Sequence, residues 1–491
     1  MRKRRSQRAS AAAAAALLSM TLAAMPAGAE CLTSKLLSGD PAATDNFGVA
    51  VAIDGDYLAA GAHHDDEGAI NAGAVYVFQR SGGAWLQRAK LRAADPTAND
   101  VLGLTVAIDG DTVVAGAFLD NSPTFHAGSA YVFRGSGANW LQEVKLVAPV
   151  QNIWQEFGAS VDISGDRVAV GAPLGGDPNA PVGQAFVFLR AGTSWGLEAE
   201  LTRAADDADP NEAFGSAVAI DGDVACVGAD MDSDAQHNRG AAYVFRRSGD
   251  AWTREAKLTA SDGGAEHRFG NAVDIQGDLA LIGAYSYDAP GPVYNAGAAY
   301  VFRRVHGAWS QEARLTAPTL VTDASFGISV ALDGDRALIG SWWDDEAVDT
   351  AGAAYVYRYN AGAWVLEQTL LANDPAAMDN FGVGVALDGA SAVVGAWQDD
   401  EAALDAGAAY TFELDADCNG NGICDGQELT GDLNGDARVD LADLSDLLSP
   451  YGACTGDPAY NAAADLDGSG CVSLADLSLL LENFGLSVCG G

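Results

Sequence analysis

The sequence predicts an all-β protein, a seven-bladed β-propeller whose N-terminal strand closes the last blade, followed by a small α-helical, EF-hand-like domain. Three observations point to the propeller. A Phe-Gly element recurs at Phe47, Phe157, Phe214, Phe269, Phe326 and Phe381, with Leu102-Gly103 in the second place. A Gly-Ala element follows at Gly61, Gly116, Gly171, Gly228, Gly283 and Gly395, and as Gly340-Ser341. The period is about 55 to 57 residues, the spacing of an array of small β-units. Each unit also holds four strand-like runs, at 49–53, 57–62, 74–80 and 84–91 in the first. Four antiparallel strands repeated seven times satisfy a propeller.

Each element has a local reason. Small and β-branched residues fill the first run, which suits an innermost strand where blades crowd together. Asp-Gly pairs at Asp54, Asp109, Asp221, Asp333 and Asp388 mark a tight first turn, because glycine tolerates positive φ. Six units carry a fourth-strand tryptophan: Trp85, Trp140, Trp195, Trp252, Trp309 and Trp364. The seventh leaves after Tyr410-Thr411-Phe412 without one. Its missing strand stands at the other end of the chain, as Lys35-Leu36-Leu37, matching Lys90-Leu91, Lys145-Leu146 and Lys257-Leu258. Pairing the two ends removes an open sheet edge; the alternative is an open solenoid.

Composition narrows the function. The 491-residue chain has 58 glycines and a formal net charge of -40, which excludes the basic footprint of a nucleic-acid binder and favours calcium. Residues 1–29 read as an export signal: Arg2, Lys3, Arg4, Arg5 and Arg8, an apolar run from Ala11 to Ala24, and Ala27-Gly28-Ala29 as the cleavage site. That run is short for a membrane span of about 20 residues, and no other run is longer, so no membrane span is expected. The mature chain is expected to begin at Glu30 and to be secreted, extracellular or on the cell surface. Of seven cysteines, Cys418, Cys424, Cys454, Cys471 and Cys489 crowd the C-terminal part, where export permits disulfides. Connectivity stays open, and Cys226, inside a strand, is the candidate for the unpaired one.

Strand parity puts the second-to-third loops on the same face as the blade-to-blade loops. Both sets are acidic, as in Asp65 to Glu67 and in Asp95 and Asp100, while the arginine-bearing third-to-fourth turns lie opposite. A charged face steers partners, or simply keeps a secreted protein soluble. The six histidines form no nucleophile–base–carboxylate set, and abundant carboxylates nominate no glycosidase pair, so no catalytic residue is assigned. Trp342-Trp343 and Trp397 lie on the acidic-loop face, where they could stack on sugar rings.

The units resemble FG-GAP repeats, the blades of integrin α-subunit propellers and of many secreted bacterial proteins, over residues 30–414. The resemblance implies a binding platform for adhesion or assembly. Some members hold calcium in a D-x-D-x-D-G loop. This chain departs from that pattern, with His63-His64-Asp65-Asp66-Glu67-Gly68, Asp230-Met231-Asp232-Ser233-Asp234-Ala235, Asp344-Asp345-Glu346 and Asp399-Asp400-Glu401 in the corresponding loops.

After Leu414 three loops carry oxygen side chains at the spacing with which a short loop wraps a hard cation. The first, in a connector at 415–430, is Asp417, Asn419, Asn421, Ile423 through its carbonyl, Asp425 and Glu428. The second is Asp432, Asn434, Asp436, Arg438 through its carbonyl, Asp440 and Asp443. The third is Asp465, Asp467, Ser469, Cys471 through its carbonyl, Ser473 and Asp476. Runs 441–448 and 474–481 follow with leucines at helical spacing. This duplicated loop-helix pair, within a domain at 431–491, resembles a type I dockerin, with Ala437 in place of a loop glycine and serines weakening the third loop. The resemblance implies two calcium ions and a cohesin-like or other extracellular protein partner, read by Leu441, Ala442, Leu474 and Ala475. The expectation is a non-enzymatic binding or adhesion protein. The alternative is a carbohydrate-binding or hydrolytic subunit of a polysaccharide-degrading complex.

Overall fold

The computed structural model describes residues 32–121, 124–177, 180–203, 212–233, 236–345, 348, 350–414, 441–455, 457, 460–461, 464, 469–474, 476–477 and 480. Seven four-stranded antiparallel sheets follow one another along the chain. In the first blade the strands are Phe47–Asp54, Tyr57–Ala62, Ala74–Ser81 and Ala84–Leu91, from innermost to outermost. The seventh blade has three strands of its own, Phe381–Asp388, Ser391–Ala396 and Ala408–Glu413, and takes its outer strand from Leu32–Leu36. Lys35 stands opposite Tyr410 and Leu36 opposite Ala409, the register in which Lys90 and Leu91 face Tyr76 and Val75 in the first blade. The expected ring closure is therefore present.

Three sets of contacts join the blades, each at a different distance from the axis. Innermost, the polar residue ending each first strand accepts a hydrogen bond from the turn glycine of the next blade. Gly110 N–H donates to Asp54, Gly165 to Asp109, Gly222 to Ser164, Gly277 to Asp221, Gly334 to Gln276, Gly389 to Asp333 and Gly55 to Asp388, over 2.6–3.1 Å. The aspartates of the Asp-Gly pairs thus tie blade to blade as well as shaping their turns, and the bond from Gly55 to Asp388 closes the circle.

In the middle layer the Phe-Gly element docks on the preceding blade. Phe157 N–H donates to Ala127 O at 2.9 Å, and Phe47 N–H does the same to Ala406 O at 2.9 Å. The Phe47 ring then packs edge-on against Tyr76 and Phe78 of its own blade. Backbones approach so closely here that a Cβ on Gly61 would lie 1.8 Å from Gly103 O of the second blade. The Gly-Ala element is glycine for that reason.

The outer layer is a polar staple. The indole of Trp195 and the guanidinium of Arg190 both donate to Glu143 on the second blade's outer strand. Trp252 with Arg247 meets Glu198 in the same way, and Trp309 with Arg304 meets Glu255. Arg190, Arg247 and Arg304 are therefore engaged between blades, whereas Arg134 and Arg358 pair with Asp111 and Asp335 of their own blades. Such charge-assisted bonds are stronger than neutral ones.

The inner strands leave an axial channel of about 260 Å³ lined by valine, alanine and isoleucine from all seven blades. Asp162 and Asp274 interrupt that lining where the other blades have alanine. Each accepts two backbone N–H bonds, Asp162 from Ile163 and Ile220, Asp274 from Ile275 and Leu332. Burial, with Asp274 nearby, pushes Asp162 up to about 8, and burial pushes Asp274 up to about 6. An unfolded aspartate ionises near 3.8, so ionisation opposes folding at and above the raised values. That penalty is relieved as the pH falls through them, and below the unfolded value both states are protonated. Asp40, Asp95 and Asp374 act oppositely, being held below the usual range by lysine and tyrosine partners against the cost of burial. The propeller should therefore gain on the order of 5 kcal/mol between pH 9 and pH 5 and lose stability below about pH 4. Chemical denaturation across that range measures the rise, and Asp162→Asn should remove the largest single share of it.

Beyond the propeller, a helix spans Leu441–Leu448, Cys454 is bonded to Cys471, and Leu447, Ala464, Val472 and Leu480 form a small apolar cluster. Cys226 is buried and free, as expected from its strand position. No helix among the described residues is long and apolar enough to cross a membrane. The Cys454–Cys471 bond suits an oxidising compartment.

Candidate functional site on the acidic-loop face

The acidic loops are only partly solvent-facing. In five blades the aspartate three residues after the Gly-Ala element, or after Gly340-Ser341, is buried: Asp65, Asp120, Asp232, Asp344 and Asp399. Each accepts a hydrogen bond from the tyrosine eleven residues later, Tyr76, Tyr131, Tyr243, Tyr355 and Tyr410, at 2.7–3.2 Å. In four of these blades the outer-strand lysine joins them. Lys90 lies 2.6 Å from Asp65 and 2.7 Å from Asp40, and Lys145 lies 2.6 Å from Asp120 and 2.7 Å from Asp95. Lys257 lies 2.8 Å from Asp232, and Lys35 bridges Asp374, Asp399 and Glu401. Burial works against the charge on these ammonium groups, yet their carboxylate bonds hold Lys35, Lys90 and Lys145 above the ordinary lysine range.

The network is structural chemistry. Asp65 has a side chain only 3% exposed, so removing its lysine leaves a buried charge without its cation. Lys90→Met should cost about 3 kcal/mol, and adding Asp65→Asn should recover most of it; thermal melts of the single and double variants measure the coupling. The fifth blade varies the set, with Tyr300 and Arg314 both bonded to Asp262. The third lacks it, with Gly175, Phe186 and Glu200 at the three places.

A second buried polar group sits two residues before most Phe-Gly elements. Asp45, Asp100, Gln155, His267 and Asp379 each accept a backbone N–H three residues earlier, closing the blade-to-blade loop. Burial pushes Asp45 and Asp379 up to about 6.

With the leading aspartates turned inward, Asp66, Asp345 and Asp400 are left exposed, each accepting a backbone N–H in its own loop. Between them lies an aromatic array built from three consecutive blades. Trp343 and Trp342 stack with centroids 5.3 Å apart and planes within 7°. Trp342 stacks on Trp397 at 6.4 Å, Trp397 on His63 at 6.0 Å, and His63 meets His64 at 4.0 Å. His63 is 6% exposed and Trp343 43% exposed, so the array runs from the interior to solvent. Trp342 Nε1, Trp397 Nε1 and His63 Nδ1 are covered and have no hydrogen-bond partner. Burial, with His64 beside it, pushes His63 down to about 3, so its ring is neutral at physiological pH.

The calcium-loop residues Asp417, Asn419, Asn421, Ile423, Asp425, Glu428, Asp432, Asn434, Asp436, Arg438, Asp440, Asp465 and Asp467 lie outside the described residues, as do Ala475 and the side chains of Leu441, Ala442 and Asp443. Of the third loop, Ser469 donates to Cys471 O, and Ser473 donates through both N–H and Oγ to the fully buried Asp476 carboxylate. Leu474 is exposed. Among the described residues no three His, Cys, Asp or Glu side chains are grouped to hold a metal ion.

Sequence reasoning noticed Trp342, Trp343 and Trp397 but read His63-His64 separately. The signal joining them is positional, since His63, Trp342 and Trp397 each follow the second residue of the Gly-Ala element or its Gly340-Ser341 equivalent.

No curated protein gives a significant match to this chain. The FG-GAP repeat model matches seven segments, 32–78, 85–133, 140–188, 195–245, 252–302, 309–357 and 364–412. Each matched segment starts on an outer strand and ends on the third strand of the following blade, so the first begins on a strand of the seventh blade. With seven matches covering most of its length and forming one closed ring, the chain belongs to the FG-GAP repeat family.

Proposed function

We propose that this protein is a secreted, non-enzymatic binding protein: its propeller offers the acidic-loop face to a partner, and its C-terminal module docks, with calcium, to a cohesin-like or other extracellular protein. The observation that carries the first half is the solvent-reaching aromatic array on a rigid closed ring. The propeller core does not need tryptophan there, because the corresponding pairs in the third and fourth blades are Pro173-Leu174 and Asp230-Met231. Propellers serve many functions, so the site rather than the fold supports the reading. The second half rests on the ligand spacing of the loops at 432–443 and 465–476. There the carboxylates would hold calcium, which would cross-link each loop to its helix.

The test uses the mature chain and a shorter one ending at Leu414, both immobilised and exposed to extracellular proteins with calcium and then with chelator. A protein retained by the long chain alone, and released by chelator, is the expected result. If the long chain binds calcium yet retains nothing that the short chain does not, docking by the C-terminal module is wrong.

A further inference from the structure

We infer that the Cys454–Cys471 disulfide is a redox clasp on the third calcium loop, 465–476. Closed, it holds the Cys471 carbonyl in place to ligate; opened by a dithiol reductant, it slackens the loop and weakens calcium binding there. This rests on the reading of that loop as a calcium site and adds its regulation.

Cys471 stands at the seventh loop position, the one that ligates calcium through its backbone carbonyl. Its side chain is bonded to Cys454, shortly beyond the helix Leu441–Leu448. Around this bond the loop lies against residues 452–455 as a short antiparallel pair. Val472 N–H donates to Ala453 O at 2.9 Å, Gly452 N–H to Val472 O at 2.8 Å and Thr455 N–H to Gly470 O at 2.8 Å. Cys454 and Cys471 face each other between these bonds as a non-hydrogen-bonded pair, so the Cys471 carbonyl points away from the paired segment. There it accepts from Ser469 Oγ at 3.2 Å. The fifth and seventh loop positions thus converge, as ligands of one cation must. The ninth and twelfth converge too, with Ser473 Oγ donating to the buried Asp476 carboxylate at 3.1 Å.

Ser469 and Ser473 are neutral where carboxylates would bind a hard cation more tightly. Affinity at this loop therefore depends on how little ordering remains to be done on binding, and a covalent clasp reduces that ordering. Apolar packing alone is a weak substitute, because Val472 belongs to a cluster of only four buried side chains among the described residues. Both cysteines are half-buried, so a thiolate can reach the bond. One thiolate of the dithiol attacks a sulfur and releases the other cysteine, and its second thiol then resolves the mixed disulfide. Two electrons and two protons pass to Cys454 and Cys471, which become thiols, while the dithiol becomes a disulfide. Linkage is reciprocal, so calcium bound at the loop should protect the bond by the same factor by which the bond favours calcium.

Calcium is titrated by calorimetry into the full mature chain as oxidised protein, after dithiothreitol, and as a Cys454→Ser, Cys471→Ser double variant. Asp476→Asn identifies the binding step that belongs to the third loop. That step should weaken about tenfold or more with dithiothreitol and in the double variant, while the step at 432–443 is unchanged. Saturating calcium should shift the dithiothreitol concentration that opens the bond by the same factor, read by mass spectrometry of alkylated Cys454 and Cys471. Circular dichroism of the double variant should return to the wild-type helix signal once calcium is saturating. The inference is overturned if the third-loop step is as tight in the double variant as in the oxidised chain, or if calcium leaves the reduction midpoint unchanged. It is overturned equally if the double variant stays unfolded at saturating calcium, which would make the bond a requirement of folding. The calcium-loop reading fails separately, when Asp476→Asn removes no binding step.

Discussion

Replacing Gly395 by alanine should destabilise the propeller by about 4 kcal/mol or more, among the largest effects of any single added methyl group in this chain. A Cβ there would stand 1.8 Å from Gly48 O, far inside contact distance. The obstacle is backbone, so no side chain can swing aside; the first and seventh blades must separate, or the closing strands must shift in register. Either movement strains the neighbouring contacts around the ring, because Gly48 itself would meet Ala408 O at 2.1 Å. Gly55 supplies the contrast. It has a positive φ of 54° but nothing within 4 Å of its Cβ position. Gly55→Ala should cost only the local left-handed penalty of about 1–2 kcal/mol and keep its N–H bond to Asp388. Denaturant melts of the two variants measure the difference. Equal effects would mean that close blade packing does not set the glycine requirement.

Removal of residues 30–37 from the mature chain should open the ring, with a loss of about 5 kcal/mol or more and concentration-dependent association. The deletion strips the outer strand from the seventh blade and exposes the whole hydrogen-bonding edge of Ala408–Glu413, a template for pairing with another chain. It also removes Leu36, which is buried between the seventh and first blades, and Lys35, which bridges three carboxylates. The buried Asp399 then loses its cation. Light scattering and thermal melts report the outcome, and a peptide of residues 30–39 added in excess should restore part of the melting temperature. A truncated chain that stays monomeric with an unchanged melt would show that the N-terminal strand is not needed to close the propeller.

Much of this architecture was legible because repetition converts weak local signals into strong ones. One Phe-Gly is uninformative, but six, with Leu102-Gly103 filling the remaining place at the same period, set the blade count, and the stray Lys35-Leu36 matched the outer strands well enough to locate the closing strand. Strand runs in the first blade matched to within two residues, since alternation and turn chemistry are properties of neighbouring residues. Less was legible where a residue has two roles. The turn aspartates read as hairpin signals, and nothing local to Asp54 announces that it accepts from Gly110, 56 residues on. The loop acids read as solvated charge, yet Asp65 and its counterparts are internal because a tyrosine and a lysine on two other strands reach them. The spacing of eleven between Asp65 and Tyr76, repeated four times, was the available clue.

Sequence alone thus determined the fold class, the number of blades and the joining of the two ends, because each follows from periodicity and from the need to pair every strand edge. Tertiary structure decided which charges are internal and which face solvent, because outer-strand lysines meet loop carboxylates only once the sheets have formed. It also assembled Trp343, Trp342, Trp397, His63 and His64 into one array. Consecutive blades six and seven bring Trp342 to Trp397, but His63 and His64 come from the first blade, at the opposite end of the chain, and only the closing of the ring sets His63 beside Trp397.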